Sequence, residues 1–248
     1  MGGNNMANGF RFGGVHSDVF GLILNKKTVP LSPPTTNRLQ EIGGVDGAWD
    51  YGVSYGPREI ELEVTLLADS SSDLRQKARA LVGNLSPRFG SKVLIFDDEP
   101  GIQYYAKIAN QIPLAQLGAM GTFTLQFVCP DPFTYAVEGR SGTFMNDMTI
   151  VHPGTHFSRP LLTITHGGGV GSITNTRPDS VIETMEFTAD SPAGTYVIDC
   201  NEKTTTLDGG RAYNYVKGAY ISLPEGSNFL VNSGAITSTK IEFRNTWI

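Results

Sequence analysis

The chain has 248 residues, a formal net charge of −5, 40% hydrophobic residues and only 17% charged ones. That is enough apolar material for one large or two ordinary cores. The first 130 residues carry 11 basic and 12 acidic side chains and the remainder 8 and 12, so there is no basic stripe for sustained binding to a phosphate backbone.

The 29 glycines and 14 prolines fit a β-rich chain with many tight turns. Cys129 and Cys200 are too few for a disulfide framework and read as buried free thiols. No apolar stretch approaches the roughly 20 residues that span a bilayer. The start, MGGNNMANGF, lacks the charged and apolar regions of a signal peptide, which predicts a protein made and assembled in a cytoplasm.

Residues 1–9 are Gly- and Asn-rich and are expected to be mobile unless a partner orders them. Short strands are predicted at Phe10–Phe12 and Val19–Leu24. Residues 25–50 read as a long loop, with Pro30, Pro33 and Pro34 excluding a helix or a central strand. Such a long connection is more often a binding segment than filler. Trp49, Tyr51 and Tyr55 cluster at its end, either as a local minicore or as anchors for another protein.

From residue 59 to 66 the sequence EIELEVTL alternates strictly, with Ile60, Leu62, Val64 and Leu66 on one face and Glu59, Glu61, Glu63 and Thr65 on the other. This is the period of a half-buried strand, and the glutamates read as its solvated face. A helix follows. Ser70 and Asp73 form an N-terminal capping pattern, and Leu74, Ala78, Leu81, Val82 and Leu85 make one apolar stripe that Pro87 ends. Strands are predicted at 92–96, 103–109 and 121–128. The run CPDPFTY then ends the sheet and marks a domain boundary, giving domains 1–132 and 133–248.

The second half has no helix signal. Strands are predicted at 160–165, 170–174, 181–188, 195–200, 203–207, 219–223, 228–232 and 239–243, with turns at HGGG, RPDS, SPAG, DGG, PEGS and NSG. That rhythm indicates an antiparallel β-sandwich. The run Tyr196–Asn228 packs strands and turns closely and holds no nucleophile–base pair, ligand set or phosphate cradle.

Reactive groups elsewhere have structural readings. His152 and His156 flank Pro153 and Gly154, which forbid a zinc-binding helix, so they and His166 read as surface-loop histidines. Asp97, Asp98 and Glu99 precede Pro100 as a turn and match no calcium loop. Gly167–Gly169 leads into no helix and no phosphate loop. No catalytic, metal or cofactor site is expected.

The order of motifs resembles the siphovirus-type phage distal tail proteins. In the first half the similarity runs through FRFGGVHSDVFGLIL, GGVDGAWDYGVSYGPREIELEVTL, KVLIFDDEPGIQYYAKI and FTLQFVCPDPFTY. In the second it runs through YVIDCNEKTTTLDGG, LPEGSNFL and IEFRNTW. The resemblance implies a mainly β fold: a tail-tube-like β domain with one helix, then a galectin-like antiparallel β-sandwich at the periphery.

It also implies a structural virion protein rather than an enzyme, a hub at the tail tip assembled in the host cytoplasm. Its expected partners are itself in a six-fold ring around a DNA channel, the tail-tube protein, and tail-associated fibre, lysin or other baseplate proteins. Sequence-specific nucleic-acid binding and membrane insertion are not expected. Phe10, Phe12, Pro33, Pro34, Trp49, Tyr51 and Tyr55 are the candidate interface residues. The competing readings are a host-surface carbohydrate-binding protein that uses the second domain, and the same hub in a headless tail-like particle or prophage. A glycan hydrolase built on Asp98 or Glu99 has no support in the spacing.

Overall fold

The computed structural model describes residues 9–44 and 46–248. The expected mobility of the amino-terminal run therefore falls, for residues 1–8, outside the described residues. The chain divides into two compact units, residues 1–134 with 248, and residues 135–247.

The first unit contains β1 (Phe10–Phe12), β2 (Val15–His16), β3 (Leu22–Thr28), β4 (Thr35–Glu41), β5 (Ala48–Tyr55), β6 (Arg58–Leu67), α1 (Ser71–Leu85), β7 (Lys92–Phe96), β8 (Ile102–Ile108), β9 (Ala115–Leu117) and β10 (Met120–Cys129). Its strands order as β2-β1-β7-β8-β10-β6-β3, with β9 beside β10. Antiparallel β6 and β10 form the spine, and the alternation of β6 fixes which face is inside. Ile60 sits opposite Phe127, Leu62 opposite Leu125 and Val64 opposite Phe123, all buried.

Helix α1 lies on that apolar face through Leu74, Leu81 and Leu85. Burial of each leucine stabilises it by about 1.5–3 kcal/mol. The Ser70 hydroxyl accepts from the Asp73 N–H at 3.2 Å, and the Asp73 carboxylate accepts from the Asp69 N–H at 3.0 Å. Those bonds satisfy donors at the helix start. Val82, placed on the expected stripe, is exposed instead, so the stripe is narrower than the sequence suggests.

Two predictions for this unit need correction. Val19 is not in a strand: Ser17–Phe20 is a 3-10 turn, and β3 begins at Leu22 after Gly21 at φ +71°. The segment 25–50 is not a loop. It contains the end of β3 and a separate hairpin, β4–β5, whose strands begin only after Pro33 and Pro34.

The second unit contains β11 (Thr134–Ala136, which begins at the boundary), β12 (Arg140–Phe144), β13 (Asp147–His152), β14 (Leu161–Thr176), β15 (Ile182–Phe187), β16 (Gly194–Asp199), β17 (Thr204–Leu207), β18 (Gly210–Arg211), β19 (Val216–Gly218), β20 (Gly226–Phe243) and β21 (Thr246–Trp247). No α-helix occurs here among the described residues, and the fold is antiparallel β throughout. Its core gathers Leu162, Ile164, Phe187, Tyr196, Ile198, Leu230 and Ile241.

HGGG and NSG are not turns. Each lies inside a long strand, β14 or β20, and the two strands pair on both sides of an irregular stretch, with register shifts between Thr165 and His166 and between His166 and Gly171. Gly234 sits at φ +64°, and a Cβ there would meet the Val170 carbonyl. Glycine therefore makes a bulge where the sequence suggested a reversal. The bulge lets β14 pair with β16 before it and β15 after it, while β20 pairs with β13 before and β12 after. Residues 219–223 also form no strand, apart from a single Ser158–Leu223 bridge; the strand lies earlier, at β19.

Candidate interaction surfaces

The hairpin β4–β5 forms a two-stranded sheet of its own. Gln40 sits opposite Trp49, Asn37 opposite Val53 and Thr35 opposite Tyr55, with a bulge on β5 where Tyr51 and Gly52 oppose Arg38. The side chain of Asp50 accepts from the Gly52 N–H at 2.7 Å, and Gly52 takes φ +95°. Trp49 is 60% exposed, Tyr51 61% and Val53 54%, and Leu39 is exposed as well. The minicore reading of the aromatic cluster is thereby overturned for Trp49 and Tyr51, whose rings project into solvent from this chain.

The base of the hairpin is held differently. Tyr55 is half-buried and meets Phe133 edge-on at 5.7 Å. Pro33 is buried, Pro34 is exposed, and the Pro34 carbonyl accepts from the Gly56 N–H at 2.7 Å. Arg58, which the sequence reading passed over, is 2% exposed. Its Nε donates to the Pro132 carbonyl at 2.9 Å and its Nη1 to the Pro30 carbonyl at 2.8 Å, with the guanidinium 6.0 Å from the Tyr104 ring centre. One buried cation thus ties the entry to the hairpin to the chain just before residue 135. Only the Arg-after-Pro spacing could have hinted at it, and Pro57 is too ordinary a signal.

Phe10 and Phe12 lie elsewhere. Both are 2% exposed and pack on Phe127, so the core takes them and they are removed from the candidate interface. The reason is that β1 is an internal strand between β2 and β7, not an edge segment.

A second surface is the polar face of β3–β6–β10. Glu59, Glu61 and Glu63 project from it opposite Val128, Gln126 and Thr124. Lys26 pairs with Glu63 at 3.1 Å. The face carries three glutamates and several hydroxyls, with Lys26 and, opposite Val128 on β8, Lys107 among them, and the core lies behind it. On the helix side the sequence from Leu74 to Phe96 has no acidic residue and carries Arg75, Lys77, Arg79, Arg88 and Lys92. Glutamates thus line β6, while α1 and the segment after it carry mostly cations, with Asp73 paired to Lys77 at the helix start.

The other reactive groups are structural. The carboxylate of Asp97 binds His16, and Asp98 pairs with Lys27 at 2.5 Å. His152 and His166 are not surface-loop residues as expected; they are 0% and 2% exposed. His152 Nε2 accepts from the Thr246 N–H, and His166 stacks on Phe187 at 4.5 Å. Burial lowers the pKa of both. Burial also pushes the Cys129 and Cys200 thiols up to about 12, so both are inert thiols at neutral pH. Among the described residues no group of three or more His, Cys, Asp or Glu could hold a metal ion, and no helix is long and apolar enough to cross a membrane.

Residues 19–129 match the family described as the phage tail protein RIFT-related domain. The fold is mainly β with one α-helix among the described residues, and the matched stretch spans most of the first unit. The distal tail protein of Bacillus phage SPP1 is 26% identical over 172 residues, 68% of each chain. The crystal structure of the SPP1 protein, described as a hub of the adsorption apparatus of phages infecting Gram-positive hosts, superposes with a TM-score of 0.80. It is 18% identical in that superposition, which covers 97% of this chain and 99% of that one. A subunit of the phage p2 baseplate in its activated, strontium-bound conformation overlaps at a TM-score of 0.48 and 10% identity over 90% of each chain. The chain is thus similar to the siphophage distal tail proteins in sequence and shares the fold of one of them.

Proposed function

We propose that the protein is a structural hub at the distal end of a phage tail, in which six copies close a ring through the first domain. The observation that carries this reading is the hairpin β4–β5. A two-stranded hairpin is marginal in water by itself, and this one exposes Trp49, Tyr51, Val53 and Leu39. Large aromatics anchor interfaces, and a ring supplies the neighbour that covers them through a head-to-tail contact. Pro34 and Tyr55 set the hairpin's base, and Pro33 fixes its entry from inside.

The glutamate row of β6 suits the wall of a channel for DNA, because carboxylates repel phosphates and leave the duplex free to slide. In this arrangement the ring joins the last tail-tube ring to fibre, lysin or other baseplate proteins, and the second domain stands at the periphery. The protein works by assembly and carries no catalytic step. It is assembled in the host cytoplasm and resides at the virion tail tip.

Substituting Trp49→Ala with Tyr51→Ala tests the interface. Light scattering is expected to show loss of the ring, with an unchanged far-UV spectrum and unfolding midpoint. A ring that persists in the double variant would remove the hairpin from the assembly contact.

A further inference from the structure

We propose that His16 is a proton-operated latch on the first strand, closed when the ring is bridged between Asp18 and Asp97. His16 ends β2 and caps the turn Ser17–Phe20. Its Nε2 lies 3.0 and 3.1 Å from the two carboxylate oxygens of Asp97, which follows β7. Its Nδ1 lies 2.6 Å from the Asp18 carboxylate and also 3.2 Å from the Asp18 N–H.

Those two neighbours of Nδ1 cannot both be used in one protonation state. A neutral ring with its proton on Nε2 donates to Asp97 and accepts the Asp18 N–H at Nδ1. A protonated ring donates at both nitrogens, to Asp97 and to Asp18, and becomes a charged bridge. Proton uptake therefore exchanges a bond local to the turn for an ion pair within it, while the second nitrogen ties the turn to the Asp97 loop.

The latch lies where the chain enters β1. The Gly9 carbonyl accepts from the Asp97 N–H at 3.2 Å, and the Phe10 N–H donates to the Ser17 hydroxyl at 3.2 Å. A Cβ on Gly9 would lie 2.7 Å from the Asp97 carboxylate and 2.9 Å from the His16 ring. The entering backbone is thus sandwiched against both members of the bridge.

The charges around the ring are Asp18 on the turn, Asp97 after β7, and Arg11, which pairs with His16 in the β1–β2 register and acts on Asp18. The adjacent Asp98 is engaged by Lys27 of β3. Burial disfavours the charged ring, but Asp97 and then Asp18 outweigh it and hold the pKa above the ordinary 6.5. A raised folded value gives a latch fully closed below about pH 6.5 and lost as pH rises through the higher folded value.

Deuterium exchange on the full chain between pH 5 and 9, read by mass spectrometry, tests this. Exchange at the imidazole C2–H reports the His16 titration, and amide exchange, corrected for its intrinsic pH dependence, reports peptides around Gly9–Phe12 and Phe96–Asp98. The expected result is a His16 midpoint above 6.5, with protection of both peptides decreasing across the same midpoint as the charged bridge gives way to a neutral hydrogen bond to Asp97. D18N, at an exposed site, is expected to lower the midpoint, and H16Q to remove the pH step. A midpoint at or below 6.5, or an equal pH step in H16Q, would overturn the proposal.

Discussion

Three histidines of one chain face opposite fates on protonation, and the residues around each decide which. His16 has two carboxylates and its proton is welcome. His152 and His166 are buried in the second unit without a carboxylate bonded to either ring, and burial lowers both values. The unfolded chain binds a proton at about pH 6.5 where the folded unit resists it, so stability is full above that value and declines as pH falls toward the lowered folded ones. Urea unfolding midpoints of the second unit are expected to drop between pH 7 and pH 5, and less so in His166→Gln; a flat profile would refute the assignment.

Arg58 is a second test at this scale. Arg58→Met leaves the Pro30 and Pro132 carbonyls without their charged donor, and hydrogen bonds to charged groups contribute about 1.5–3 kcal/mol each. Calorimetry is expected to show the first unit destabilised by on the order of 3 kcal/mol. Neither the histidines nor Arg58 was legible in the sequence. Pro153 and Gly154 truly break regular structure beside His152, but a break in regular structure is not exposure: Gly154 is itself buried beside the Thr246 carbonyl.

Elements whose pattern is local were readable, and those set by partner strands were not. The alternation of β6 and the cap and Pro87 stop of α1 were visible because one segment carries the whole signal. Ser70→Ala is expected to cost about 1 kcal/mol, the usual value of a lost helix cap, in thermal unfolding. The hairpin β4–β5 was hidden because its strands lack a buried face; with no core beneath them, polar and apolar residues do not alternate in or out. The bulges in β14 and β20 were hidden because glycine at positive φ serves reversals and bulges alike. Gly234→Ala separates the two uses. A bulge pressed against the Val170 carbonyl predicts a loss of about 1–3 kcal/mol from strain, whereas an open turn would tolerate the change more cheaply.

At the scale of the whole molecule, the first unit has a row of glutamates along β6, a mostly basic helix and an uncovered aromatic hairpin. The order of motifs made the likeness to distal tail proteins legible, while the uncovered hairpin and the face carrying Glu59, Glu61 and Glu63 emerge only from strand pairing. If that face lines a channel, reversing it with Glu59→Lys and Glu61→Lys is expected to create salt-sensitive binding of duplex DNA that the parent lacks, measured by anisotropy. The most direct measurement of the hub reading is negative-stain microscopy of the purified protein, with mass from light scattering. It predicts rings of six copies around a central hole, whereas a strictly monomeric protein without rings, at high concentration and with its tail-tube partner added, would contradict it.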